Sequence, residues 1–440
     1  MERKTSRATA GLAGLLASVA LLTACASGGE ADKATSGDAA QAVTEVTFWG
    51  WAKGTKEVVD EFNKSHTAIK IKFEEIPSGV AGGYAKFSNA VKAANAPDIM
   101  SIEYAQLPDF VNQGAVEDIS AEVADVKAKY PANVLSMVEL GGKTWALPMD
   151  AAPQVFYYRK DLFEKWGIEA PATWEEFRAA AEKVKKADKK ARIATFFPDD
   201  GPVLAALAWQ AGARWFGTEG DAWKVAVDDA AGKKVAEYWQ GLVKDGLVHS
   251  HGAFSQEWNA SLESGETVGY VGASWGAGVM KGNHAGQSGK WAVAPVPHWG
   301  TPASGMLGGT SFVAGKGTKK LKAAAEVIKW LTTSEAAWTS RLASGTSSGF
   351  PAAPDLVPVA AKSFDTAYYG GQDIYALFAE SYKTIQPGWT WGPSMTQVFT
   401  SMKDQMGKVP SGGTTLPQAL DAAQGATLAE LKGRGLNVAG

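Results

Sequence analysis

The chain has 440 residues, a formal net charge of −3 and a single cysteine, Cys25. No intrachain disulfide is possible, and five histidines with one cysteine leave no ligand cluster for a metal site. No basic stripe marks a nucleic-acid partner, and the length allows two domains. Tryptophan is abundant, with 17 residues against 11 tyrosines, so much aromatic area must be buried or face a ligand.

Residues 1–24 read as a secretion signal. Arg3, Lys4 and Arg7 form a basic start, and the apolar run after them is too short and too rich in glycine and alanine to span a bilayer. Leu22-Thr23-Ala24-Cys25 looks like a bacterial lipobox, which predicts diacylation of Cys25 as the mature N-terminus. Two acyl chains meet the requirement for lasting membrane attachment. Removing three basic residues and Glu2 with the signal takes the formal charge from −3 to −5. Residues 25–42 are small and polar and read as a flexible tether. No later stretch is long and apolar enough to cross a membrane.

The body opens strand, helix, strand. Residues 45–50 alternate and are β-rich. Thr55 to Ser65 places Val58, Val59 and Phe62 on one helical face, and residues 69–73 alternate again. This predicts a βαβ unit in a parallel sheet. A helix over 84–94, a strand over 99–102 and a helix over 106–113 stopped by Gly114 follow. Ligands of open α/β sheets sit beyond the carboxyl ends of the strands. Trp49, Trp51, Glu74, Glu75, Glu103, Tyr104 and Gln106 mark those ends, and Trp51, Tyr104, Glu75 and Gln106 are the candidates there for ligand contact.

Residues 141–167 are expected to carry the chain from one lobe to the next. Gly141 and Gly142 turn and 143–149 are extended. Pro148 and Pro153 deny backbone donors, so no regular sheet is expected through 150–153. Asp150 would then lie at a hinge between lobes. Strand 155–158 and a helix from Lys160 follow. A capping box at Thr173 and Glu176 starts a helix to Ala187. Helices are predicted over 202–210, 230–244 and 254–263, an aromatic turn over 212–217, and strands over 268–271 and 291–295.

Gly272-Ala273-Ser274-Trp275-Gly276 matches the nucleophile-elbow pattern. A serine hydrolase would also need an acid, a later histidine and an oxyanion segment. Only His284 and His298 follow, both close by, so the glycines are read as a turn at a strand end with Trp275 offered to a cleft. Carboxylates far apart in sequence could still form a glycosidase pair, Asp150 with Glu75 or Glu103 being the least implausible. Beyond a glycine-rich approach at 305–309, a strand enters at 310–314. Helices are predicted over 319–331 and 334–344, a loop over 345–354, and helices over 374–382, 390–406 and 416–432. Trp389 and Trp391 stand at a helix start.

The runs VTFWGWAKGTKEVVDEFNK, APDIMSIEYAQLPDFVNQGAVEDIS, GGKTWALPMDAAPQVFYYRKDLFEKWGIEAPATWEEF, GYVGASWGAG and SSGFPAAPDL resemble family 1 of the extracellular solute-binding proteins. These are the sugar-binding lipoproteins of bacterial ABC importers, and they include maltose-binding protein. One loop departs from the pattern: Ala353 stands where an arginine is often found. The resemblance implies an α/β, two-lobe fold of the type II periplasmic-binding-protein kind with hinge crossovers. The lobes would be 43–150 with 310–348, and 151–309 with 349–440. It implies a monomer that binds a sugar or oligosaccharide without chemistry or cofactor and delivers it to permease transmembrane subunits at the outer face of the membrane. Aromatic stacking would fall to Trp51, Tyr104, Trp215, Trp275 and Trp391. Asp150, Gln106 and the Gly308-Gly309 backbone would supply hydrogen bonds. A binder of glycerol phosphate or a polyol, and a secreted hydrolase, are the alternatives.

Overall fold

The computed structural model describes residues 42–439. The expected signal, Cys25 and nearly all of the expected tether lie outside the described residues.

Two sheets organise the chain. The first has five strands in the order Ile69–Glu75, Thr44–Gly50, Ile99–Glu103, Thr310–Ala314, Ala146–Pro148. Its first three strands are parallel, as the strand–helix–strand opening predicts. Thr310–Ala314 runs antiparallel to Ile99–Glu103, and Ala146–Pro148 runs antiparallel to it in turn, so the sheet is mixed. Val46, Phe48, Ile99 and Ile102 have no exposed surface, as strands covered on both faces require. The helix Thr55–Ser65 buries Val58, Val59 and Phe62. The helix Leu321–Thr333 also packs on this sheet, and Glu335–Ala343 packs on Thr55–Ser65.

The second sheet has three antiparallel strands, with Gln154–Arg159 between Gly269–Ala273 and Trp291–Pro295. Helix Trp174–Ala187 begins with the predicted capping box. The Thr173 hydroxyl accepts from Glu176 N at 3.1 Å, and the Glu176 carboxylate accepts from Thr173 N at 3.2 Å. Helices Gly201–Gln210, Ala230–Lys244 and Gln256–Ser264 stand close to their predicted positions. The region read as an aromatic turn instead leads into a hairpin, Phe216–Glu219 with Ala222–Val225.

The chain passes between the sheets three times: after Ala146–Pro148, before Thr310–Ala314, and after Glu335–Ala343. Here the structure corrects one expectation. Asp150–Ala151 pairs antiparallel with Phe350–Pro351, so two crossovers are joined by a short ladder. Proline is tolerated because this is an edge: Ala352 N donates to Met149 O at 3.0 Å where Pro351 has no N–H. Two further differences lie near the C-terminus. Helix Val357–Ser363 has no counterpart in the sequence reading. The helix expected from 390 begins at Met395, because Pro393 disfavours helical backbone at the residue before it.

Candidate functional site

The carboxyl ends of the parallel strands bring three side chains together. Trp51 follows Thr44–Gly50, Tyr84 lies in the first turn of helix Gly83–Lys92, and Glu103 ends Ile99–Glu103. The Trp51 and Tyr84 rings meet edge to face with centroids 5.7 Å apart. The Tyr84 hydroxyl donates to Glu103 Oε2 at 2.8 Å, and desolvation raises the Glu103 carboxyl above its usual range.

The second half meets this group at Gly308. A Cβ at Gly308 would stand 3.4 Å from Trp275 Nε1 and 3.7 Å from Glu103 Oε1. Trp275 follows strand Gly269–Ala273 and donates from Nε1 to Leu307 O at 2.8 Å. The Phe254 ring lies 5.9 Å from Trp275. Phe254 is 42% exposed and holds a left-handed φ of 56°, a conformation uncommon for a large side chain. Below Trp275, Ala152, Ala206, Ala273 and Leu307 form a floor of mostly small side chains. Asp200 precedes helix Gly201–Gln210. Its carboxyl is pushed up to about 7 by burial, then by the charges of Asp199 and Glu103.

Behind this groove lies the crossover interior. Tyr104 is fully buried, and its hydroxyl donates to Asp150 O at 2.8 Å. Gly309 O accepts from Tyr104 N at 3.1 Å. Thr310 N donates to Asp150 Oδ1 at 2.7 Å. Burial pushes the Asp150 carboxyl up to about 7 against the pull of that hydrogen bond and of the Arg341 charge. Burial in turn lowers Arg341 to about 10, with Asp150 opposing. Arg341 is 1% exposed and reaches Thr55 Oγ1 at 3.3 Å.

The sequence-predicted residues are therefore not one cluster. Trp275 meets the Gly308-Gly309 backbone beside Glu103, Trp51 joins them through Tyr84, and Tyr104 and Asp150 lie behind Gly309. Trp215 has no exposed surface. It packs in an indole cluster where Trp209 and Trp389 stack at 5.1 Å and Trp391 meets Trp389 edge to face at 5.0 Å. Core packing, not a free wall, is what the structure gives Trp215. Gln106 is buried at the start of helix Leu107–Asn112. Glu75 is exposed at the end of an outer strand. Cys25 lies outside the described residues.

Ser274 is fully buried and donates to Ala151 O at 3.3 Å. Gly272 lies within its strand and not in a turn: the Tyr270 ring would be 2.4 Å from a Cβ there. Tyr84, Phe254 and Arg341 were not legible as site residues. Glu103 was legible as a strand end and as a candidate half of a carboxylate pair with Asp150. Tyr84 lies 19 residues from its partner Glu103, and sequence spacing carries no trace of that contact. Among the described residues, no group of three His, Cys, Asp or Glu could hold a metal ion. No described helix is long and apolar enough to cross a membrane. A cavity of about 20 Å³ lined by Thr195, Phe197, Asp200, Leu204 and Met406 has room for about one water, not for a larger solute.

The model of the bacterial extracellular solute-binding proteins matches residues 50–338, and the chain belongs to that family. The arabinooligosaccharide-binding protein of Bacillus subtilis is 25% identical over 330 residues, 72% of this chain and 74% of the relative. The galacto-N-biose/lacto-N-biose I-binding protein of a Bifidobacterium longum ABC transporter, solved with lacto-N-biose, superposes with a TM-score of 0.81 at 26% identity. That match covers 90% of this chain and 99% of the other. A binding protein associated with an ABC transporter of B. animalis subsp. lactis, solved with β-1,6-galactobiose, gives a TM-score of 0.82 at 24% identity, covering 91% and 100%. The fold is the two-lobed type II form of such proteins, and these relatives bind solutes.

Proposed function

We propose that this chain captures a sugar or oligosaccharide between its lobes and hands it to the transmembrane subunits of an ABC importer. The lobes would be residues 43–150 with 310–348, and 151–309 with 349–440. The observation that carries the reading is the meeting of Trp275 and Glu103 at Gly308, with Glu103 bonded to Tyr84 and the Tyr84 ring against Trp51. A sugar ring has an apolar C–H face and a hydroxyl rim; indole faces cover the first and carboxylates pair the second. Each hydroxyl left unpaired in a closed cleft costs about 1–3 kcal/mol, so Glu103 and the Gly308-Gly309 backbone would set identity. A ligand touching both lobes favours the shut arrangement, and the importer reads that arrangement.

The same charges weigh against a phosphorylated ligand. Glu103 stands at the groove with Asp200 near enough to feel its charge, and the buried Arg341 guanidinium is already offset by the Asp150 charge. A buried Ser274 bonded to backbone supports binding without turnover. Diacylation of Cys25 would hold the protein, as a monomer, at the outer face of the cell membrane.

The test is a thermal-shift panel on residues 26–440. It would contain lacto-N-biose, β-1,6-galactobiose, arabino-oligosaccharides and glycerol 3-phosphate, with a turnover assay run alongside. A saccharide is expected to raise the melting temperature without being consumed. A shift with glycerol 3-phosphate alone, or hydrolysis lost in Ser274→Ala, would overturn the proposal.

A further inference from the structure

Among the described residues, one ion pair joins the two proposed lobes away from the crossovers. Arg434, just past helix Leu416–Gly433, donates from Nη1 to Asp109 Oδ1 at 3.1 Å and to Pro393 O at 2.8 Å. Asp109 lies in the first turn of helix Leu107–Asn112 and is 6% exposed. Its Oδ1 also accepts from Gln113 Nε2 at 3.0 Å. The other ion pairs of the described residues each stay within one proposed lobe. Away from the crossovers a side-chain bond spans the same divide, from the Tyr382 hydroxyl to Asn133 Oδ1 at 3.2 Å; at the crossover Ser348 Oγ accepts from Gly278 N at 2.7 Å and donates to Ser274 O at 2.8 Å.

The position of the pair matters more than its strength. Asp109 follows Gln106 by one helical turn, so it belongs to the element that ends the first wall of the cleft. Pro393 closes the turn that carries Trp389 and Trp391. Arg434 therefore ties the tryptophan turn of one lobe to the strand-end helix of the other. A carboxylate this buried is costly without a cation beside it. When the lobes part, the guanidinium leaves and Asp109 must be rehydrated. A pair that bridges the lobes would be broken by their parting, and whatever it gains over hydration would bias them toward closure.

We propose that Asp109 and Arg434 are positioning residues for ligand capture: their ion pair holds the lobes shut and slows release of the bound solute without touching it. This rests on the two-lobe capture reading. The mechanism acts through closure, so it changes how long a ligand stays more than how fast it arrives.

The test uses residues 26–440 with Arg434→Ala, Asp109→Ala and the swap Asp109→Arg/Arg434→Asp. Dissociation of whichever probe binds, lacto-N-biose or β-1,6-galactobiose, is followed by stopped-flow tryptophan fluorescence. Each single variant is expected to release the sugar roughly three- to tenfold faster, as for a partly desolvated charge pair. The association rate should stay within about twofold, and the swap should recover part of the loss. Release at the wild-type rate in both single variants would overturn the proposal. So would a lowered melting temperature with no change in release, since that marks packing alone. Small-angle scattering without ligand separates this idea from the saccharide reading. If no probe binds but the single variants are more extended than the wild type, the closure role stands and the saccharide reading fails. If no probe binds and the profiles are identical, the closure role fails.

Discussion

Trp275 offers the sharpest test of the groove. It is partly exposed, with its indole N–H held by Leu307 O at 2.8 Å and Phe254 beside it at 5.9 Å. One indole face against the C–H face of a sugar removes roughly 60 Å² of apolar surface, or about 1.5 kcal/mol at 25 cal/mol per Å². Trp275→Ala deletes that face and should weaken saccharide binding by about tenfold or somewhat more, since 1.4 kcal/mol is a factor of ten. Trp275→Phe keeps a smaller ring but drops the donor to Leu307 O. Leu307 is 4% exposed, so its carbonyl loses a partner that water replaces poorly, at a cost near 1 kcal/mol. Phe should therefore weaken binding by only about threefold while lowering stability by about that 1 kcal/mol. Titration calorimetry measures the first effect and urea unfolding the second. Wild-type affinity in both variants would remove Trp275 from the site and refute the stacking argument.

Two predictions concern the crossovers. Gly309 has φ +97°, and a Cβ there would lie 2.5 Å from the buried Tyr104 ring. Gly289 has φ +79° with nothing within 4 Å. Gly289→Ala should cost about 1 kcal/mol of backbone strain, and Gly309→Ala about 1–3 kcal/mol more for the clash; equal losses in denaturant unfolding would show that Tyr104 yields freely. Asp150 titrates near 7 in the fold against 3.8 for the ordinary group. The folded protein holds that proton longer than the unfolded chain does. This contribution to stability is complete below about pH 4 and is lost as pH rises to about 7. At about 1.4 kcal/mol per unit the loss is a few kcal/mol. Asparagine at 150 keeps an acceptor for Thr310 N and has no proton to lose. The melting temperature of Asp150→Asn relative to wild type should therefore rise between pH 4 and pH 8, and a difference that stays constant would contradict the buried-carboxyl account.

Periodicity sufficed where a single face decided the element. Val58, Val59 and Phe62 fall on one side of Thr55–Ser65 in both the sequence and the fold. Thr173 with Glu176 made the start of the next long helix readable because a cap is a local exchange of hydrogen bonds. The parallel opening of the first sheet followed from strand–helix–strand order. Tryptophans were harder, because an indole has the same local signal whether it lines a cleft or fills a core. Trp275 kept a partly exposed face while Trp215 lost all of its surface to Trp389 and its neighbours. The two-residue ladder at Asp150–Ala151 was hidden because its partner strand is 200 positions away and contains a proline.

By itself the order of residues determined most element types, the two-lobed class and the family, since these depend on spacing within a few turns and on motifs contiguous in the chain. Which side chains meet was decided only by tertiary structure. Glu103 beside Gly308, Arg341 behind Asp150 and Arg434 on Asp109 join residues 191 to 325 positions apart. Their closeness is set by how two sheets pack across three crossovers, and no local pattern encodes that distance.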